Sequence, residues 1–216
     1  MLVAKDIHKS YGDLEVLKGV DFEVKRNEVV SITGASGAGK STLLHILGTL
    51  DIPDKGIVTI NDENVLKLNS TKKANFRNTH IGFIFQFHNL LPEFNALENV
   101  CIPALIKGES LKGAEKRASE LLEKLGVGGR AKHKPSELSG GEQQRVSVAR
   151  ALINNPSIIF ADEPSGNLDS KNAEQLHDLF FKLREELNQT FVIVTHNNSL
   201  AQMADRKLEM QDGIFI

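Results

Sequence analysis

An α/β fold with a mainly parallel sheet and an inserted helix-rich subdomain is the class this sequence predicts. Two patterns predict it: short apolar strands alternate with long amphipathic helices, and between about Leu90 and Pro135 the strands give way to helix. The length agrees, since 216 residues suit one large domain or a core with one sizeable insertion.

The N-terminal part alternates as a strand does. Val20, Phe22 and Val24 share one face with polar residues between them, and Val16-Leu17 lie just upstream. Val29–Thr33 is a short apolar strand that runs through a Gly-rich loop into an apolar helix over Ser41–Leu50. The turn residues Pro53-Asp54-Lys55-Gly56 introduce a strand over Gly56–Ile60, and Ile81–Phe85 is a buried strand ending at Gln86. In the middle, Ala114, Ala118, Leu121, Leu122 and Leu125 fall on one face of a helix that stops at Gly126. Strands resume at Ile158–Ala161 and Phe191–Thr195, separated by a second amphipathic helix marked by Ala173, Leu176, Phe180, Leu183 and Leu187. No internal repeat or low-complexity tract interrupts this order.

Composition removes several function classes. With 26 Lys+Arg against 28 Asp+Glu, the net charge of −2 argues against a nucleic-acid binder that works by neutralising phosphates. The single Cys101 forms no intrachain disulfide and reads as a buried thiol, and the His and Cys residues show no zinc spacing. Met1–Lys9 lacks the apolar stretch of a signal peptide, and no run approaches the ~20 apolar residues of a membrane helix. The expectation is a soluble cytoplasmic protein that reaches a membrane only through partners.

Gly34-Ala35-Ser36-Gly37-Ala38-Gly39-Lys40-Ser41 fits G-x-x-x-x-G-K-[ST] between a strand and a helix. Glycines let successive N–H groups wrap a phosphate, and the helix beginning near Lys40 adds the positive end of its dipole. Lys40 then supplies a point charge to the β- and γ-phosphates, and the Ser41 hydroxyl suits Mg²⁺. A plain structural turn is the alternative, but the strand–loop–helix context favours a nucleoside triphosphate site. Far along the chain, the strand Ile158–Ala161 ends in Asp162-Glu163. Asp162 suits the Mg²⁺ shell, and Glu163 suits a base that orients and deprotonates the attacking water; capping acids before Pro164 are the alternative. A second anion cradle, Ser139-Gly140-Gly141-Glu142, precedes the apolar helix Val146–Ile153 and doubles as a capping box.

The chain resembles the nucleotide-binding subunits of ABC transporters over essentially all its length. The resemblance rests on Tyr11, Gly34–Ser41, Gln86, Leu138–Gln143, Asp162-Glu163, Asn167-Leu168-Asp169 and His196, in that order. It implies a phosphate-loop NTPase core with a mainly parallel sheet, an N-terminal antiparallel β subdomain and an inserted α-helical subdomain. Residues 1–87 and 155–216 would form the core and residues 88–154 the helical part. It also implies that Tyr11 stacks on adenine, that the loop and Thr42 hold the phosphates, and that Gln86 touches Mg²⁺ or the attacking water. His196 would bond the γ-phosphate. Ser139, Gly140, Gly141 and Glu142 would act across a homodimer on the partner's ATP, with Asp169 at the dimer contact. For Tyr11 and His196 taken alone, an ordinary surface tyrosine and a satisfied polar histidine are the simpler readings.

Within that family, Gln86-Phe87-His88-Asn89-Leu90-Leu91-Pro92-Glu93-Phe94-Asn95-Ala96-Leu97-Glu98-Asn99-Val100 is similar to the Lol-type lipoprotein-releasing ATPases. Leu90, Leu91, Pro92 and Phe94 are more apolar than an ordinary surface loop, which suits a groove for a helix of a membrane subunit. The resemblance implies two integral-membrane permease subunits, no nucleic acid, and a place on the cytoplasmic face of a bacterial inner membrane. Macrolide or peptide exporters and cell-division complexes are the alternatives. A soluble non-transport ABC ATPase fits less well, because DNA-repair relatives carry long coiled-coil inserts and translation-factor relatives two cassettes. A GTPase or small-molecule kinase is disfavoured, because no Asn-Lys-x-Asp guanine reader appears.

Overall fold

A computed structural model describes residues 1–216. In chain order the elements are β1 (Leu2–Tyr11), β2 (Leu14–Val24), β3 (Val29–Thr33), α1 (Lys40–Leu47), β4 (Lys55–Ile60), β5 (Glu63–Asn64), α2 (Ser70–His80), β6 (Ile81–Phe85), α3 (Ala96–Ile106), α4 (Leu111–Lys124), α5 (Gly140–Leu152), β7 (Ile158–Asp162), α6 (Ser170–Leu187), β8 (Phe191–Val194), α7 (Asn198–Met203), β9 (Arg206–Gln211) and β10 (Ile214–Phe215). They form two sheets. One is antiparallel in the order β2-β1-β4-β5; the other runs β10-β9-β3-β8-β7-β6 and is parallel from β9 to β6.

Strands buried on both faces read as continuous apolar runs, and β3, β7 and β8 do so because each side of the parallel sheet is covered. Alternate residues serve different cores. Val29, Ile159, Ala161, Phe191 and Ile193 face the core shared with α3, α4, α5 and α6. Val30, Ile32, Phe160, Val192 and Val194 face the core shared with α1 and the antiparallel sheet. The central strands therefore lock the two halves together. Phe160 is fully buried, and truncating a side chain of that kind to Ala typically costs about 3–5 kcal/mol.

The helix-rich middle and the strands at Ile81, Ile158 and Phe191 lie where the patterning puts them. Three details differ. The helix after the Gly-rich loop stops at Leu47 instead of Leu50, because Gly48 caps it and Thr49 takes a left-handed turn at φ 62°. The helix expected from Val146 begins at Gly140, since the reciprocal Ser139–Glu142 capping box lets it start among the glycines. Helix α2 was hidden because none of its residues is buried, so it carries no apolar stripe.

Candidate functional site: a nucleotide cradle and a separate signature turn

In a parallel sheet every strand ends on the same side, and ligands gather there. Neighbouring β3, β8 and β7 end at Thr33, Val194 and Asp162, so the segments that follow them meet at one rim: Gly34–Ser41, Thr195-His196 and Glu163. The loop after β3 is shaped by two glycines above all. A side chain at Gly34 would collide with the Met210 carbonyl, and Gly39, at φ 101°, caps α1 in a left-handed conformation. Lys40 folds back over the loop, donating to the carbonyls of Gly34 at 2.9 Å and Ala35 at 2.8 Å. An ammonium tethered only to neutral carbonyls is ready to exchange them for phosphate oxygens.

Ser41 Oγ donates to Asp162 Oδ1 at 3.1 Å, and His45 lies 3.9 Å from the other carboxylate oxygen. Burial pushes the Asp162 carboxyl above its ordinary range, and the bond from Ser41 only partly opposes this. A hydroxyl and a costly buried carboxylate side by side are hard oxygen donors suited to a divalent cation. Two protein ligands are too few for a closed cage, so phosphate oxygens and water would have to complete the shell, as Mg²⁺ commonly requires.

Glu163 follows immediately in a left-handed conformation, φ 47°, which is uncommon for a residue with a side chain and tends to mark functional positions. Its N–H stays in the sheet, bonded to Val194 O at 2.9 Å, while the carboxylate turns to His196. Oε2 accepts the His196 backbone N–H at 3.1 Å and lies 2.8 Å from Nδ1. The Glu163 side chain is mostly shielded and the imidazole is 71% exposed, so a base and a mobile polar ring stand together at the rim.

Gln86 is turned elsewhere. Its Nε2 donates to Asn167 Oδ1 at 3.0 Å, Asn167 Nδ2 returns a bond to the Gln86 carbonyl, and no bond joins Gln86 to Ser41 or Asp162. Tyr11 is half exposed; its hydroxyl donates to Asp51 Oδ2 at 2.5 Å, and Lys9 braces it, Nζ 5.0 Å from the ring centroid and 3.2 Å from Asp51 Oδ1. Asp169 caps α6 by accepting the Asn172 N–H.

The second anion cradle, Ser139–Glu142, here called the signature turn, stands apart from the first. Ser139 caps α5, Glu142 reaches back to the Ser139 N–H at 2.8 Å, and no hydrogen bond or ion pair joins residues 139–142 to the phosphate loop. Instead the turn lies against the start of α6: a Cβ at Gly141 would press on Asn172, and one at Gly140 would meet Leu168. Two further residues outside the sequence motifs support the site. Gln144, fully buried in α5, donates to Pro164 O at 2.7 Å and Phe85 O at 3.3 Å, tying together the segments that carry Glu163 and Gln86. Its signal was a polar residue at core spacing with Val148 and Ala151. Asp51, behind Tyr11, carried no comparable signal.

A family profile described as ABC transporter matches residues 17–166, more than half of the chain. The chain belongs to the ABC transporter family. As an ABC ATPase it binds and hydrolyses ATP, which is the chemistry the cradle is shaped for. It is 64% identical to the lipoprotein-releasing system ATP-binding protein LolD of Cytophaga hutchinsonii, covering 100% of this chain and 99% of that one. It is 59% identical to LolD of Bacteroides fragilis over the whole of both. Among solved structures, the ATP-binding cassette MJ0796, dimeric and bound to ADP and Pi, superposes with a TM-score of 0.91 at 43% identity, covering 100% of this chain and 96% of that one.

Proposed function

We propose that this ABC ATPase energises the release of lipoproteins from a bacterial inner membrane, working as a head-to-tail homodimer beneath two integral-membrane permease subunits. One observation carries the dimeric mechanism: a single chain holds two anion cradles that do not touch, one rich in catalytic groups and one bare except for its capping box. The second cradle has work to do only if Ser139, Gly140, Gly141 and Glu142 cover ATP seated on the phosphate loop of another copy, with Asp169 nearby. The dimeric MJ0796 cassette supports that arrangement, and the LolD relatives support the cargo. No helix of this chain is long and apolar enough to cross a membrane, so contact with the bilayer would run through the permeases from the cytoplasmic face. Exposed Phe87, Leu91 and Phe94 are suited to that contact. In this reading residues 88–154 are the arm that presents the signature turn, and residues 1–87 and 155–216 are the catalytic core.

The residues then divide the work. Tyr11 stacks on adenine, residues 34–42 fix the phosphates, and Ser41, Asp162 and Gln86 are the residues that would hold Mg²⁺. Bound Mg²⁺ would neutralise charge on the β- and γ-phosphate oxygens. The Glu163 carboxylate accepts a proton from water, the water oxygen bonds the γ-phosphorus, and the bond to the ADP oxygen breaks. His196, which lies against Glu163, hydrogen-bonds the γ-phosphate in this reading, and its 2.8 Å contact with Oε2 supports a shared role. Loss of that phosphate removes the bridge between copies, and the dimer opens.

Removing a general base typically costs 10²–10⁴-fold, roughly 3–5 kcal/mol. Glu163→Gln should therefore bind ATP, turn over very slowly and run as a dimer on gel filtration with MgATP. A variant that stays monomeric and hydrolyses normally overturns the mechanism. The permeases recovered with the chain from detergent-solubilised membranes test the cargo, with macrolide-exporter or cell-division permeases counting against lipoprotein release.

A further inference from the structure

An anion site that carries its own carboxylate works against itself. The first N–H groups of α5, those of Gly140 and Gly141, have no acceptor within the helix, and together with the helix dipole they favour a phosphate. Glu142 sits in the same turn and folds its carboxylate back over it, Oε2 accepting the Ser139 N–H at 2.8 Å. Closing another copy's ATP over this turn would bring that carboxylate and a γ-phosphate into one desolvated space, where like charges repel strongly. Protonation offers no relief: Arg130 and the bonds from Ser139 hold the Glu142 carboxyl down to about 2, so it stays ionised at any working pH.

A cation is therefore required, and one is in place. Arg130 Nε donates to Glu142 Oε1 at 2.8 Å, which leaves both carboxylate oxygens occupied. Arg130 ends the short turn Gly128–Arg130. Its position is fixed by backbone bonds of the segment that follows it: the carbonyls of Ala131 and His133 accept the N–H groups of Leu97 and Ala96 at the start of α3. Half of the Arg130 side chain remains exposed, and only Nε is engaged. The two terminal guanidinium nitrogens thus carry no hydrogen bond to the protein.

We propose that Arg130 is a charge-compensating residue of the composite ATP chamber: it cancels the Glu142 carboxylate so that the signature turn can accept the γ-phosphate of ATP bound to another copy. The inference rests on the head-to-tail reading above and adds a residue to it. Arg130 acts through Glu142 and is a positioning residue, not a catalytic one.

The test uses full-length protein carrying Glu163→Gln, which slows hydrolysis, and measures MgATP-driven dimerisation by sedimentation across protein concentration. Adding Arg130→Ala should raise the concentration for half-dimerisation on the order of tenfold, since two such partly exposed pairs flank each symmetric dimer. Adding Glu142→Gln on top of Arg130→Ala should bring it back to within about twofold, because the uncompensated charge is gone while an amide can still cap Ser139. A merely structural tie between the 128–134 segment and α5 would not be rescued this way. Unchanged dimerisation of the Arg130→Ala protein, or failure of Glu142→Gln to rescue it, overturns the role of Arg130 and leaves the head-to-tail reading standing. If the Glu163→Gln parent itself stays monomeric with MgATP, that reading falls and this inference falls with it.

Discussion

The phosphate loop and the signature turn both exploit the start of a helix, yet they are built in opposite ways. The loop before α1 wraps backbone around the future phosphate. Its glycines adopt conformations other residues resist, Lys40 folds onto it, and Ser41, Asp162, Glu163 and His196 converge from three strands. The turn before α5 wraps nothing. It is an ordinary capped helix start whose one charge is already paired with Arg130. The first is built to hold an anion by itself; the second, in the proposed dimer, completes a site supplied by another copy. Substitutions should therefore separate binding from turnover according to which cradle they touch.

The largest effect is expected in the loop. Lys40→Ala removes the only ammonium bonded to the loop, and ATP affinity of separated copies should fall by about 10²-fold, a charged hydrogen bond plus lost positioning. Equilibrium dialysis with radiolabelled ATP checks this. Next comes the signature turn. Replacing Ser139 and Gly141 together by Ala should lower kcat by about 10²-fold, comparable to losing one oxyanion donor, while the affinity of separated copies for ATP changes little. Equal losses of affinity and kcat at both cradles would erase the distinction between them.

Gln144 joins the two regions from inside one chain. Its amide holds the carbonyls of Phe85 and Pro164, each adjacent in sequence to a proposed catalytic residue, Gln86 and Glu163. Gln144→Leu would take this donor away from both carbonyls, costing about 1–3 kcal/mol of stability by urea titration. Turnover should fall by roughly tenfold as Glu163 and Gln86 lose registration. ATP binding should hold, because no group of the loop touches Gln144.

The phosphate loop, the two carboxylates and the signature turn were legible in the sequence because each needs particular residue types at fixed spacing. The strands β6, β7 and β8 were legible because burial on both faces leaves them continuously apolar. Strand β1 was not: Lys5, Asp6, His8 and Lys9 interrupt its apolar residues, and the register shifts between Ala4 and Ile7 break the alternation. Helix α2, with no buried residue, and the short β9–β10 ribbon at the C-terminus lacked periodic signal in the same way. What no local pattern could disclose is pairing at a distance. That Tyr11 leans on Asp51, Gln86 on Asn167 and His177 on Ser165 depends on how the sheets assemble.

Acid should separate the two regions by a smaller, slower effect. On the core side, His177 is buried with Nε2 3.0 Å from Ser165 Oγ, and burial holds its pKa below the ordinary 6.5, against the pull of Asp178 and Glu174. Burial, helped by Lys107 and Arg150 respectively, also lowers His80 and His88. Below about pH 6.5 the unfolded chain takes up protons at these sites that the folded chain refuses, so stability falls as pH drops from neutrality toward 5. On the signature side, Glu142 lies at about 2 against an ordinary 4.5; its contribution is intact above pH 4.5 and is lost only as pH falls from there toward 2. Denaturant titrations across pH should show two declines. His177→Asn should lessen the one between pH 7 and 5, which His80 and His88 share, and leave the lower one; Glu142→Gln should lessen the lower one, to which the depressed carboxyls of Asp51, Asp169 and Glu186 also contribute, and leave the upper. If His177→Asn leaves the upper decline unchanged, the ring is not held neutral against Ser165, and the upper decline rests on His80 and His88 alone.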